Sequence, residues 1–231
     1  MQNSIEQALK AALTDRCCVG QILIQKTNGG FVLSHRDDEA RDDLATFRNA
    51  QDAIGIAKYD DAGSYRPLKT APNLRRSWRM ELWTWEELKR AVDYFYPGRL
   101  AVFAAWKTGQ LRTTNLRDTL DRQSGMYRVA AKISDAQIDD LVADFCRSEG
   151  GCLRTILWKR DVSGMVSSTK LPNEKFDPTH DQAEAMEKPG SSALAEGATD
   201  KTTSTRAPVP LLCQEACNLL VAECRKVVKG K

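Results

Sequence analysis

A chain of 231 residues has room for one substantial domain or two small ones. Hydrophobic residues make up 42% and charged residues 28%, which excludes a disordered or fibrous chain and describes a soluble globular protein with a real core. The net charge is +3, no apolar run is long enough to span a bilayer, and Met1 to Asp15 is polar and amphipathic with no signal-peptide core, so a bacterial-type cytoplasmic setting is expected.

After a short N-terminal helix, the adjacent Cys17 and Cys18 lead into a β-rich run, Val19 to Gln25. A buried strand start accounts for them better than a vicinal redox pair. Thr27 to Gly30 holds Asn28-Gly29, a strong hairpin signal, and Phe31 to His35 returns as a second strand. Asp37 to Ala57 reads as a charged helix with Leu44, Phe47 and Ile54 facing inward. Residues 1–64 are thus expected to form a small N-terminal α+β supporting unit.

Tyr65 to Trp78 reads as an ordered loop, broken by Pro67, Pro72 and Asn73 and anchored by Leu68, Leu74 and Trp78. Thr84 and Glu87 form a capping-box pattern before Leu88, Val92 and Phe95, and that helix ends at Pro97. Leu100 to Trp106 is a further apolar helix. Asn115 begins another, with Leu116 and Leu120 inside and Gly125 beyond its end. Met126 to Ile133 and Leu153 to Trp158 are strand candidates. Between them Ser134 and Gln137 repeat the capping-box pattern, and Ile138, Leu141, Val142 and Phe145 follow at helical spacing.

Asp161 to Pro210 is different in kind. It holds five of the eight prolines and a single aromatic residue. Such a stretch buries too little apolar area to offset its ordering entropy, and it is expected to be a disordered insertion. The fold class is therefore α+β: a small β-hairpin and helix unit, followed by a mostly helical, cysteine-ligated domain made of residues 65–160 and 211–231.

Four of the seven cysteines fall in two tight pairs, Cys146 and Cys152, then Cys213 and Cys217. Cys146 lies in the last turn of its helix, and Gly150 and Gly151 stop that helix before Cys152. Pro208 and Pro210 oppose helix, so Cys213 is expected at or just before a helix N-terminus, with Cys217 one turn on. Iron–sulfur clusters take thiolates from short, turn-rich segments, and a negatively charged cluster suits a helix N-terminus. Structural zinc is the nearest competitor, although its usual C-x2-4-C spacing excludes the first pair. A disulfide framework ranks third, because nothing looks secreted. Cys224 follows Cys217 and Leu220 on one helical stripe; seven residues of helix rise about 10.5 Å, too far for a shared cluster, and Cys224 reads as core.

Charge is unevenly spread. Arg66 to Arg128 carries 13 Lys and Arg against 6 Asp and Glu. A basic segment implies an anionic partner or a compensating acidic surface. Arg75, Arg76 and Arg79 with Trp78 can grip carboxylates and stack on a ring, or can form a solvated basic loop. Arg122 can serve the cluster or pair with Asp118 at i,i+4. Nucleic acid is a weaker partner, because the basic residues make no recognisable reading motif and the isoelectric point is only about 8.4.

The C-x5-C…C-x3-C spacing resembles that of the sulfite and nitrite reductases that couple a [4Fe-4S] cluster to siroheme, but the chain is short for their duplicated fold. Further strings extend the likeness elsewhere. Arg66-Pro-Leu-Lys-Thr-Ala-Pro-Asn-Leu-Arg-Arg76, Arg122-Gln-Ser-Gly-Met-Tyr127, Cys152-Leu-Arg-Thr-Ile-Leu-Trp158 and Cys213-Gln-Glu-Ala-Cys-Asn-Leu-Leu-Val221 together resemble the iron–sulfur module, with its stabilising domain, fused to CbiX-type sirohydrochlorin chelatases. The resemblance implies a [4Fe-4S] cluster on Cys146, Cys152, Cys213 and Cys217. It also implies an accessory redox or sensor role in siroheme or cobalamin assembly, with a chelatase or an acidic tetrapyrrole as partner and Arg75, Arg76, Trp78, Arg79 and Arg122 as candidate tetrapyrrole contacts. The chain departs from the chelatases themselves. Its only histidines are His35 and His180, so the paired metal-handling histidines are missing and no independent metal insertion is expected.

Overall fold

The computed structural model describes residues 2–122, 125–147, 151–164, 166 and 207–230. Most of the expected insertion, His180 included, lies outside the described residues. The chain divides into two compact units, 1–110 with 188–211, and 111–187 with 212–231.

In the first unit, helix α1 (Gln2–Ala12) precedes strands β1 (Arg16–Val19), β2 (Ile22–Thr27) and β3 (Gly30–His35), which pair antiparallel in sequence order. Thr27 pairs with Gly30, so Asn28-Gly29 is the two-residue turn its sequence calls for. Three consecutive β2 residues, Ile22, Leu23 and Ile24, are buried, as expected of a strand covered on both faces. Strand β4 (Ala45–Phe47) runs parallel to β5 (Trp78–Leu82), β5 pairs antiparallel with β3, and the late strand β7 (Ala207–Val209) runs parallel to β1. The sheet order is β4-β5-β3-β2-β1-β7. Pro208 sits in an edge strand, the sheet position that tolerates a missing N–H.

β5 alternates cleanly. Trp78, Met80 and Leu82 are buried, while Arg79 and Glu81 face the other way and pair at 3.2 Å. Trp78 stacks on Phe95 of helix α3 (Trp85–Phe95), with ring centroids 5.0 Å apart. The Thr84–Glu87 capping box forms, and Leu88, Ala91, Val92 and Phe95 make the buried stripe of α3. Gly98, at φ 72°, turns the chain into helix α4 (Arg99–Lys107).

The sequence predicted one helix over 37–57. The structure instead has a 3₁₀ turn at Arg36–Asp38, β4, a second 3₁₀ turn at Ala50–Asp52 and a short helix α2 (Ala53–Lys58). Pairing with β5, far along the chain, overrides the local charge pattern. The same pairing carries the sheet past residue 64. β5, α3 and α4 therefore fall in the first unit, and the boundary lies near residue 110. The loop expected at 65–78 is ordered by a buried guanidinium. Arg66, 1% exposed, donates to Ala57 O at 3.2 Å, Lys69 O at 3.2 Å, Ala71 O at 2.8 Å and Asn73 Oδ1 at 3.0 Å.

The second unit contains helix α5 (Leu116–Arg122), a 3₁₀ helix at Gly125–Lys132, helix α6 (Asp135–Leu141), a π-helical turn at Val142–Cys146, strands β6 (Thr155–Ile156) and β8 (Leu212–Cys213), and helix α7 (Asn218–Lys229). The predicted strand over 126–133 is the 3₁₀ helix. Arg117 holds its end by donating to Ala131 O at 3.2 Å and Ile133 O at 2.6 Å while pairing with Asp135. The Ser134–Gln137 capping box forms as read from the sequence. The strand predicted over 153–158 is present at Thr155 and Ile156, in parallel register with Leu212 and Cys213. The core gathers Leu116, Leu120, Ile133, Ile138, Val142, Trp158, Leu220, Val221 and Cys224. Among the described residues no helix is long and apolar enough to cross a membrane.

Candidate metal centre

Each cysteine of the two pairs is presented by a different backbone device. Cys146 closes the π-helical turn after α6, a wide turn of the kind found at functional sites. Cys152 follows Gly151, and its N–H donates to Cys146 O at 2.8 Å, so the first pair is closed by a backbone hydrogen bond. Cys213 ends β8, and its carbonyl accepts from Leu157 N at 3.0 Å. Cys217 is the N-cap of the 12-residue α7, and its side chain makes no capping hydrogen bond.

This corrects the expectation for the second pair. Cys213 and Cys217 are not on one helical turn; the strand carries one and the helix start the other. The reason is the long-range pairing of Ile156 with Cys213, which holds residue 213 extended. The helix N-terminus is still placed beside a prospective anion, at Cys217.

The two buried thiols of the set, Cys146 and Cys213, are both perturbed. Cys146 is pushed well above the usual thiol range, first by burial and then by the neighbouring Cys152, Cys213 and Cys217. Burial also raises Cys213, against the opposing pull of Arg154 and of a hydrogen bond from Trp158. Trp158, 2% exposed, donates its indole N–H to Cys213 Sγ at 3.3 Å. The Cys213 thiol in turn donates to Glu215 O at 3.2 Å. Arg154 is partly buried. Burial opposes its charge, but Cys213, Cys152 and Cys217 outweigh that, and Cys213 also hydrogen-bonds it. Leaving a buried donor such as the Trp158 N–H without an acceptor costs about 1–3 kcal/mol, so the sulfur has a structural reason to stay.

Two buried and two half-buried thiols, an arginine charge, an indole donor and a helix N-terminus fit a net-negative thiolate cluster.

Cys17 and Cys224 behave as core. Cys224 is 0% exposed, and burial pushes it up to about 12. Cys17 is 0% exposed in β1, and burial likewise takes it to about 12, leaving an unreactive thiol.

The candidate tetrapyrrole contacts fare differently. Trp78 is 1% exposed, sandwiched against Phe95, and its Nε1 donates to Arg75 O at 2.7 Å, so it has no free face to stack on a ligand. Strand alternation put it in the core. Arg75, Arg76 and Arg79 are exposed. Arg76 pairs with Asp61 at 3.2 Å and Asp37 at 3.6 Å, and Arg79 pairs with Glu81. Arg122 belongs to the second unit. It donates to Asp118 O at 3.3 Å and lies 3.7 Å from Glu215, so it contacts the residue whose carbonyl meets Cys213.

Arg154 and Trp158 were not singled out by their chemistry in the sequence. A signal was there: Cys152, Arg154, Ile156 and Trp158 share one parity along an extended segment, and one strand face carries such residues together.

Comparison with known proteins agrees with this division. The DR2241 stabilising domain matches residues 6–109, and the 4Fe-4S iron-sulfur cluster binding domain matches residues 108–226. No curated protein matches the sequence. Among solved structures the chain is similar to DR2241 from Deinococcus radiodurans, described as a multi-domain protein with structural similarity to chelatases and two additional novel domains. The TM-score is 0.72 at 24% identity, over 99% of this chain and 42% of that one. The chain thus spans about two fifths of the length of that protein, and the likeness establishes a shared fold. With the second profile covering more than half of its residues, the chain belongs to the family of 4Fe-4S iron-sulfur cluster binding domains.

Proposed function

We propose that Cys146, Cys152, Cys213 and Cys217 ligate a [4Fe-4S] cluster, and that the chain is an accessory redox or sensor protein linked to metal insertion into a sirohydrochlorin-type tetrapyrrole. The reading rests on one observation above the others: the two cysteine pairs are each held by the local backbone, Cys152 N donating to Cys146 O at 2.8 Å while Cys213 ends β8 and Cys217 caps α7, with an indole N–H on the Cys213 sulfur at 3.3 Å. When bound, the cluster supplies one-electron chemistry. The chain's own residues do the rest. Cys146 and Cys213, buried, and the half-buried Cys152 and Cys217 hold the irons. Arg154 offsets negative charge, and the N-terminus of α7 faces Cys217.

The link to a chelatase is supported by the chelatase-like character of DR2241 and by the match of the first unit to its stabilising domain. In this reading the two units correspond to the additional domains of that protein, and a chelatase or its acidic tetrapyrrole is the partner. The exposed Arg75, Arg76, Arg79 and Arg122 remain candidates for pairing with carboxylates, without a ring platform at Trp78.

The test is anaerobic loading with iron and sulfide, followed by titration with sirohydrochlorin in the presence and absence of a CbiX-type chelatase. Cluster content should fall for Cys146→Ser, Cys152→Ser, Cys213→Ser and Cys217→Ser taken singly. Tetrapyrrole or chelatase binding should weaken with salt and with the Arg75→Ala/Arg76→Ala pair, with iron content unchanged. Binding of duplex or single-stranded nucleic acid with a steep salt slope, in place of tetrapyrrole or chelatase, would reject the tetrapyrrole link.

A further inference from the structure

We propose that Trp158, with Arg154, sets the reduction potential of the cluster by donating to the sulfur of Cys213, making that cysteine the electronically distinct ligand. The inference rests on the reading that Cys213 is a cluster ligand. It concerns what surrounds the sulfur rather than the ligation itself.

The geometry is specific. Trp158 Nε1 lies 3.3 Å from Cys213 Sγ, within reach of an N–H···S hydrogen bond, and the residue is 2% exposed. An indole N–H can only donate. Binding of iron removes the thiol proton that now goes to Glu215 O, so the ligated sulfur becomes an acceptor only. The indole N–H then meets a charged acceptor, and the guanidinium of Arg154 is held beside the same sulfur. Hydrogen bonds to cluster sulfurs and local positive charge draw electron density from the thiolate. The extra electron of the reduced state is thereby stabilised more than the oxidised state, so both residues raise the potential.

Backbone pairing fixes this arrangement. Leu157 N donates to Cys213 O at 3.0 Å, and Ile156 pairs with Cys213 across β6 and β8. The sulfur is therefore held in β8, and the indole follows two residues after the strand that pairs with it. Trp158 and Arg154 touch a ligand, not a substrate, and their role is positioning and tuning.

The experiment compares wild type, Trp158→Phe, Arg154→Lys and Arg154→Gln, each loaded anaerobically. Iron and sulfide content and reduction potential are measured on every sample. Trp158→Phe keeps most of the ring and deletes the N–H. The expected result is unchanged cluster content with a reduction equilibrium constant about tenfold smaller, a fall of about 59 mV for a one-electron couple. Arg154→Gln should also lower the potential, while Arg154→Lys restores part of it by keeping the charge. Full loading with a potential within twofold in equilibrium constant of wild type in both Trp158→Phe and Arg154→Gln would overturn the proposal.

Should Trp158→Phe fail to load, wild-type protein labelled with ¹⁵N-indole tryptophan decides. Trp158 is the only tryptophan in residues 111–187 and 212–231. Hyperfine coupling of an indole nitrogen to the reduced cluster supports the hydrogen bond, and its absence refutes it. Wild type that takes up no iron and sulfide fails at the earlier step, ligation, and removes this inference with it.

Discussion

Trp78→Ala separates a structural tryptophan from a ligand platform. The side chain is 1% exposed, stacks on Phe95 with an interplanar angle of 23°, and donates its N–H to Arg75 O at 2.7 Å. Truncating a buried tryptophan to alanine costs about 3–5 kcal/mol, through lost transfer energy and the cavity left behind. A domain of this size has about 5–15 kcal/mol of stability in all. At about 3–4 °C per kcal/mol for a unit of this size, the low end of the cost lowers the Tm of the first unit by about 10 °C. Trp78→Phe keeps a ring against Phe95 and loses the hydrogen bond and some volume, for about 1–2 kcal/mol. Urea unfolding of the full chain, followed by circular dichroism and tryptophan fluorescence, measures both. A Trp78→Ala variant within about 1 kcal/mol of wild type that nonetheless loses tetrapyrrole binding would refute the reasoning from burial and return Trp78 to the surface.

Three further outcomes follow from the geometry. Cys224→Ser should leave the loaded cluster's iron content and absorption unchanged, at a stability cost of about 1–3 kcal/mol for placing a hydroxyl in the core; loss of iron in this variant alone among the non-ligand cysteines would make Cys224 a ligand. Arg66→Met should destabilise the first unit by at least about 3 kcal/mol in chemical melts, because carbonyls at Ala57 and Ala71 lose their buried donor; a neutral result would mean the 57–73 loop is ordered by other means. His35 is 0% exposed, and its Nδ1 accepts from Asp37 N at 3.2 Å. Burial holds its pKa below 6.5, against Asp37 and Asp38 and with help from Arg76 and Arg36. The unfolded chain therefore binds this proton first. Stability is complete above about pH 6.5 and falls as pH drops towards the folded pKa. Stability measured against pH should show that loss in wild type and a flatter curve in His35→Asn, whose side-chain oxygen can still cap Asp37 but does not titrate; equal slopes would exclude His35 as the source.

Features written in neighbouring residues were legible in the sequence. The Asn28-Gly29 turn, the Thr84–Glu87 and Ser134–Gln137 capping boxes and the apolar stripe of α3 depend on contacts within four residues, and each is present. The pairing of the cysteines along the chain is local in the same way, and the cluster proposed on them awaits its test.

Features set by distant pairing were not legible. β4 replaces part of an expected helix because Ala45 to Phe47 lie against Trp78 to Met80. Cys213 is extended rather than helical because β8 pairs with β6, more than fifty residues earlier. Trp78 shows a signal present but outweighed. Trp-Arg-Met-Glu-Leu alternates as a half-buried strand should, yet its neighbouring arginines suggested a binding surface. Trp158 was hidden in a similar way, since the sulfur that its indole meets is brought from the far end of the chain.

The central claim is that this chain holds one four-iron cluster on Cys146, Cys152, Cys213 and Cys217. Mössbauer spectroscopy of anaerobically ⁵⁷Fe-loaded protein, with sulfide and zinc determined on the same sample, tests it most directly. The account predicts about four irons and about four sulfides per chain in one spin-coupled, tetrahedral sulfur environment, lost together in each of the four Cys→Ser variants. Colourless protein carrying a single zinc and no sulfide, or a four-iron signal that survives all four substitutions, would contradict it.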